Sequence, residues 1–283
     1  MQTIQLNDGT NIPAVGFGVF LIPNDGETYD AVLNALKAGY RHIDTAAAYM
    51  NETDVGKAVR DSGIPRDEIF ITSKLWIQDY GFEAATKAIQ TSLDNLGMDY
   101  IDLYLLHQPY ADVVGAWEAL EAAKEKGLLK SIGISNMTPK FYNEFVSQFK
   151  TKPSVNQVEF NPYFQQKALR ETMQDDGVKI EAWAPLGQGN QDLLQEQILV
   201  QLAEKHNKNV GQVILRFEIQ EGIIPLPKSV TPSRIEGNID IFDFELSEDE
   251  MSAIRALDKD KGNHDPEAPG VGEYLLENYK IHE

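Results

Sequence analysis

GYRHIDTAAAYMNETDVGKAVRDSGIPRDEIFITSKLW, residues 39–76, decides the architecture. Tyr40–Asp44 and Glu68–Lys74 are short β-branched or aromatic runs, and between them Asp54 to Ser62 has helical periodicity, with Val55, Ala58 and Val59 on one face. Gly63 stands where that helix should stop. A strand, a helix and a second strand in this order make the two strands parallel. The same unit recurs outward in both directions. Val15–Phe20 precedes it, and Ile101–His107, Lys130–Ile134, Ser154–Phe160, Lys179–Ala184 and Ile223–Pro227 follow, which makes eight strands. Val114 to Lys126 is another helical stretch, with Trp117, Leu120 and Ala123 on one face, and Gly97, Gly127, Gly177 and Gly222 mark further helix ends.

Eight such units predict an α/β fold, a single (β/α)8 TIM barrel domain over residues 1–283, with about 30 residues beyond the usual ~250 for decoration. Two extra helices are expected. The gap from Ala184 to Ile223 holds two helical patterns, Asp192–His206 and Val210–Glu221, and a helix Ser247–Leu257 opens on a Ser247/Glu250 capping pair. IQLNDGTNIP, residues 4–13, reads as an N-terminal β-hairpin turning at Asp8-Gly9 and placed to plug the barrel floor. Residues 262–283 form a C-terminal tail near the mouth, beginning with the Gly/Pro-rich GNHDPEAPG.

Composition narrows the functional classes. With 44 acidic and 25 basic residues among 283, the net charge is −19, which repels phosphate backbones and sets nucleic acid aside as a partner. Hydrophobic residues make up 42% and charged residues 24%, ordinary for a globular chain, which excludes a disordered, collagen-like or coiled-coil molecule. There is no cysteine, so thiolate nucleophiles, iron–sulfur clusters and disulfide scaffolds are excluded together. The five histidines lack metal-site spacing, so no metal is expected. No stretch approaches the ~20 apolar residues of a membrane span, and MQTIQLNDGT lacks the pattern of a signal peptide, so a cytoplasmic protein is expected. Gly16-Phe17-Gly18 begins like a dinucleotide fingerprint, but residue 21 is Leu, so it is no Rossmann site.

In a barrel of this kind the loops at the C-terminal strand ends converge on one mouth. The polar residues fall there. The second strand ends in Asp44 with Tyr49 beyond it, the third in Lys74, the fourth in His107 and the fifth in Ser135 and Asn136. A phenol with an ordinary pKa of ~10 yields its proton reluctantly at neutral pH, and a neighbouring ammonium should lower that value. Tyr49 is therefore the expected general acid, Lys74 its modulator, Asp44 the anion that holds Lys74, and His107 a donor positioning a carbonyl oxygen. The device lacks an electron source, which a hydride-carrying cofactor would complete. The same residues admit a structural reading: Asp44 paired with Arg41 or Lys74, Tyr49 a rim aromatic, and His107 a satisfied core histidine.

GYRHIDTAAAY (39–49), TSKLW (72–76), IDLYLLHQP (101–109), GISN (133–136), NQVEFNP (156–162) and PKSVTPSRIEGN (227–238) resemble the aldo-keto reductases, and most of all the prokaryotic subgroup of 2,5-diketo-gluconate and glyoxal reductases. The resemblance runs in order from residue 4 to about residue 260. It implies a catalytic set of Asp44, Tyr49, Lys74 and His107, and an NADP-dependent oxidoreductase acting on CH–OH donors that reduces aldehydes and ketones with NADPH. It further implies that Ser135, Asn136 and Gln157 hold the nicotinamide carboxamide and that Trp183 stacks on the ring, with Leu186 alongside. Lys228, Ser229, Val230 and Arg234 would take the adenosine phosphates and Asn238 the adenine; two cations in an acidic chain favour the extra phosphate of NADPH. Phe20, Trp76, His107 and Tyr110 would line the substrate pocket, and a monomer is the family expectation.

Three positions depart from the commoner family pattern: Ala184 where a serine is frequent, Gly237 where a Glu or Gln precedes the adenine contact, and Gln108 where Trp often follows the histidine. Two other readings stay open. A lyase or aldolase would use Lys74 for a Schiff base, which requires a desolvated neutral amine. A nucleotide-binding regulator like the potassium-channel β subunits would keep the same site without turnover.

Overall fold

The computed structural model describes residues 2–283. The hairpin consists of β1 (Thr3–Gln5) and β2 (Asn11–Pro13), antiparallel with Ile4 opposite Ile12. Eight parallel strands follow: β3 (Phe17–Gly18), β4 (His42–Asp44), β5 (Phe70–Leu75), β6 (Ile101–Leu106), β7 (Leu129–Ser135), β8 (Val155–Glu159), β9 (Lys179–Trp183) and β10 (Ile224–Pro225). They pair in sequence order from β3 to β10. Gly16 N–H donates to Pro225 O at 3.0 Å and Gly18 N–H to Pro227 O at 3.2 Å, so the last strand meets the first and the barrel closes.

All eight expected strands are present, but the first and last are shorter than the runs that predict them. Proline explains the last, since Pro225 and Pro227 can accept ladder bonds but cannot donate them. Gly16 serves this closure: a Cβ there would lie 2.5 Å from His42 Nδ1 and 2.6 Å from Leu226 Cδ2. Any larger residue there would have to displace the buried His42 ring and the Leu226 side chain.

The barrel floor is apolar. Phe70, Leu103, Leu105, Val155 and Ile224 form one buried cluster with Leu6 and Ile12 of the hairpin, which plugs that end as its pattern predicts. Each fully buried Leu or Ile contributes about 1.5–3 kcal/mol there. Above the floor the interior turns polar: His42, Asp44, Thr72, Lys74, Gln157 and Glu181 are all buried. The larger apolar cluster lies between the strands and the surrounding helices and includes Val55, Val59, Ile71, Leu96, Trp117 and Ile132.

The helix expected over Asp192–His206 is two pieces, Gln191–Leu194 and Gln197–His206. In one straight helix Leu193 would point away from Leu199 and Leu202 at 100° per residue. All three are buried, and the break at Gln195 and Glu196 is what turns them to the same core. The Val210–Gln220 helix and the Glu248–Arg255 helix stand as expected, the latter with the full Ser247/Glu250 capping box. The tail is more ordered than its composition suggests, because it carries a helix over Val271–Asn278.

Candidate active site

β4 and β5 are neighbours in register, Asp44 opposite Thr72, which sets the ends of the two strands side by side. Lys74 Nζ sits in a cage of three oxygens, donating to Asp44 Oδ1 at 2.7 Å, to Thr45 O at 2.9 Å and to Tyr49 Oη at 3.2 Å. Tyr49 comes from a short turn, Ala47–Tyr49, that carries the chain back over β5. Arg41 is occupied elsewhere, with Nη1 on Leu36 O and Tyr40 O, so Asp44 pairs with Lys74 and not with Arg41.

The electrostatics correct one expectation. Burial pushes the Tyr49 phenol above its usual value, and Lys74 opposes this without reversing it, while Asp44 adds to it. Tyr49 therefore holds its proton at neutral pH. Burial works against the Lys74 ammonium, but Asp44 and Tyr49 outweigh it and leave Lys74 above its usual value, hence charged. That charge disfavours the Schiff-base reading, which needs a neutral amine.

His107 follows β6, and its ring stands edge-on to Tyr49 at 5.6 Å and to Trp76 at 5.1 Å between centroids. Burial, then Lys74, pushes its imidazole well below the usual range, so the ring is neutral and carries one N–H. Its Nδ1 is buried without a partner, which is not the arrangement of a satisfied core histidine. Phe20 lies half exposed against the Tyr49 ring at 5.0 Å. Trp76 is buried, and its Nε1 donates to Tyr279 O of the tail at 2.7 Å. Tyr110 also ties down the tail, its hydroxyl donating to Pro266 O at 2.7 Å.

The side chains expected at a nicotinamide adjoin this cluster. Asn136 Nδ2 donates to His107 O at 3.2 Å, and Trp183 Nε1 donates to Asn136 Oδ1 at 2.9 Å, which fixes the orientation of a half-buried indole at the end of β9. Ser135 Oγ donates to Gln157 O, and Gln157 Nε2 donates to Asp44 Oδ2 at 2.8 Å. Asn136 and Ala184 both adopt left-handed backbone, φ 58° and 55°, just beyond the ends of β7 and β9 on either side of β8. Non-glycine residues hold such conformations where the surroundings enforce them, commonly at sites of function. Leu186 is half buried beyond β9.

After β10, Lys228, Val230 and Arg234 are exposed and Ser229 is buried, its Oγ accepting from Thr231 N–H at 3.1 Å. Among the described residues neither Lys228 nor Arg234 forms an ion pair, and the helix Pro232–Ile239, with Asn238 in its last turn, begins without a side-chain cap. Two cations outside any ion pair, at the start of a helix that has no side-chain cap, fit an anionic, phosphate-bearing group. No group of acidic residues and histidines suited to a metal ion occurs among the described residues.

Two residues escape the strand-end reading. Glu181 in β9 and His42 in β4 sit inside the barrel, wholly buried, behind Asp44. A charged residue between Ile180 and Ala182 in a buried strand is the signal that marks Glu181; the bond that matters, from Gln157, crosses the barrel and is invisible in one dimension. The tail adds contacts as well. Glu159 at the end of β8 accepts from Asn263 and His264 backbone N–H groups and so anchors the start of the tail beside the mouth.

Comparison with known proteins agrees with this fold. The aldo/keto reductase family model matches residues 15–259. The glyoxal reductase of Bacillus subtilis (strain 168) is 46% identical over 261 residues, 92% of this chain and 94% of that protein. An aldo/keto reductase from Brucella melitensis superposes with a TM-score of 0.87 at 47% identity, covering 91% of this chain and 99% of its own. The Bombyx mori aldo-keto reductase, solved in complex with NADP, gives 0.87 at 36% identity, covering 95% of each chain. Fold, strand-end chemistry and likeness over nearly the whole chain converge, and the chain belongs to the aldo/keto reductase family.

Proposed function

We propose that the protein is an NADPH-dependent reductase of aldehydes and ketones in which Tyr49 donates the proton. The observation that carries this reading is the buried chain Asp44–Lys74–Tyr49, with a neutral His107 facing the same phenol. NADPH, when bound, supplies the hydride. Trp183 and Asn136 would hold the flat ring in one orientation, with Ser135 and Gln157 on its amide, Leu186 beside it, and Lys228, Ser229, Val230, Arg234 and Asn238 on the adenosine end.

His107 orients the carbonyl oxygen with its one N–H, towards the Tyr49 hydroxyl. Charge builds on that oxygen as the carbonyl is reduced, and the phenol proton moves to it. The phenolate left behind lies 3.2 Å from the Lys74 ammonium, which stabilises it, and Asp44 prevents Lys74 from surrendering its own proton instead. Phe20 and Trp76 supply apolar walls. The similarity to the Bacillus subtilis glyoxal reductase makes glyoxal-type dicarbonyls the first substrates to try, followed by sugars and aromatic aldehydes.

Tyr49→Phe tests the reading. Carbonyl-dependent loss of NADPH absorbance should fall by about 10²–10⁴-fold, the usual worth of general acid catalysis, while NADPH affinity by fluorescence titration stays unchanged. Near-normal turnover in the variant would overturn the assignment.

A further inference from the structure

Gln157 uses both hydrogens of its amide on carboxyl groups. Nε2 donates to Asp44 Oδ2 at 2.8 Å and to Glu181 Oε2 at 2.9 Å. Glu181 is wholly buried, and its other oxygen, Oε1, has no hydrogen-bond partner. The group nearest to charging it is His42, whose Nε2 lies 3.7 Å from Oε1 but is bonded to Thr72 Oγ1 at 2.9 Å. The titratable groups facing Glu181 are thus Asp44 and His42 from β4 and Lys74 from β5, with the Gln157 amide from β8 between them.

Only one cation is available to this set, and it is taken. Lys74 lies 2.7 Å from Asp44, so an ionised Glu181 would be a second carboxylate facing an ammonium already paired. Burial, and then the Asp44 charge, pushes the Glu181 carboxyl up to about 8, and burial, then Lys74, pushes the His42 imidazole down to about 3. Both are uncharged at neutral pH, and the interior holds one cation and one anion.

We propose that Glu181 is a positioning residue for the reduction: a neutral acid that fixes Gln157 against Asp44 and that, on losing its proton, makes Tyr49 a poorer donor. The inference rests on Tyr49 as the proton donor. Its physical basis is charge. When Glu181 gives its proton to water, the new negative charge adds to that of Asp44, and negative charge nearby holds the phenol proton more tightly. The carboxylates also begin to repel each other across the amide that joins them. Raising the pH therefore slows proton transfer to the substrate before Tyr49 itself titrates. Glu181 touches neither substrate nor cofactor and acts through Gln157 and Asp44.

Glu181→Gln keeps the size and the acceptor oxygen and removes the charge. In the nucleotide-free protein, carboxyl-labelled glutamate followed by NMR should show one carboxyl titrating with a midpoint of about 8, absent from the variant. Finding that Glu181→Gln removes no carboxyl titrating above the ordinary range would overturn the proposal, since the raised Glu218 carboxyl is present in both proteins. In turnover, the basic limb of the kcat profile should move upward by at least about one pH unit in Glu181→Gln, with KM for the carbonyl unchanged. Superposable profiles with good turnover would overturn the role of Glu181 alone, whereas a protein that reduces no carbonyl would overturn the Tyr49 reading and this role together. Glu181→Met, neutral and of similar length, gives the same shift if the glutamine variant fails to fold.

Discussion

At Tyr49 two effects of the same cavity oppose each other. Burial holds the proton on the phenol, so that it is there to give, and Lys74 lowers the cost of giving it. Lys74→Met removes the second effect and leaves the first, and it strands Asp44 without its ion-pair partner. We expect turnover to fall by about 10²–10⁴-fold, with the remaining activity lost at higher, not lower, pH than in a Lys74→Arg control that keeps the charge, because the phenol holds its proton more tightly without the cation. A Lys74→Met protein with the wild-type rate would show that Tyr49 works unaided. Stability has its own test at Glu218, which is wholly buried with both carboxyl oxygens unpartnered and pushed well above the usual carboxylate range by burial. The folded protein keeps that proton where the unfolded chain has lost it, so the group favours folding less and less as pH rises above the unfolded value of ~4.3. Glu218→Met should therefore stabilise the protein by about 1–3 kcal/mol at neutral pH in urea titrations, the gain shrinking below about pH 4. An equal gain at both pH values would show that packing, not charge, is responsible. Residues at strand ends were legible one by one, because an apolar run closing on Asp44, Lys74 or His107 is visible in the chain. Glu181 was not, because its meaning depends on β8 and β9 standing opposite β4 inside a closed barrel.

Among the elements, the pair of helices Glu52–Asp61 and Phe82–Leu96 shows how closely backbone is packed around the site. Gly56 faces the end of the second helix, where a Cβ would overlap the Leu96 carbonyl. Gly56→Ala would gain intrinsic helix propensity, about 1 kcal/mol, yet we expect a net loss of about 1–3 kcal/mol, because the overlap is with backbone and not with a side chain that can turn away. Thermal melting decides it, and a higher midpoint in the variant would mean that the helices separate freely. Glu52 heads the first of these helices and accepts from Ser73 Oγ at 2.6 Å and from Asn95 Nδ2 at 3.1 Å, so a shift of the pair would be felt at β5, one residue from Lys74. Elements whose signal is local were readable: the hairpin from Asp8-Gly9, the Glu248–Arg255 helix from its capping box, the strands from their runs. The tail helix Val271–Asn278 was not. Its position is fixed by partners some 150 to 200 residues away, among them Tyr110 with Pro266 and Trp76 with Tyr279, and no local pattern encodes such contacts.

For the whole molecule, the net charge of −19 and the buried carboxyls act in the same direction. Self-repulsion of an acidic surface grows as the last carboxyls ionise, which weakens the compact state. Glu181, raised from 4.5 to about 8, and Glu218, raised well above 4.5, bind protons in the folded state that the unfolded chain has released, so each subtracts stability as pH climbs through that window. Asp8 and Glu250 act oppositely: burial works against their charge, but Lys124 and Ser131 in one case and Lys205 and the Ser247 amide in the other bring both down to about 2, so their contribution is lost only in strong acid. The balance places maximal stability on the acid side of neutrality, with a melting temperature that declines from about pH 5–6 towards pH 9. Salt separates the two causes. At ~0.1 M and above, surface repulsion is screened within ~10 Å, while a carboxyl inside the barrel is screened little. Calorimetry at low and high salt should therefore show a decline that salt reduces without removing, and the salt-resistant part should disappear in a Glu181→Gln, Glu218→Met double variant. A melting temperature that rises from pH 5 to pH 9 would mean that the two buried carboxyls are ionised and paired in the folded protein, against the neutral interior on which proton donation by Tyr49 depends.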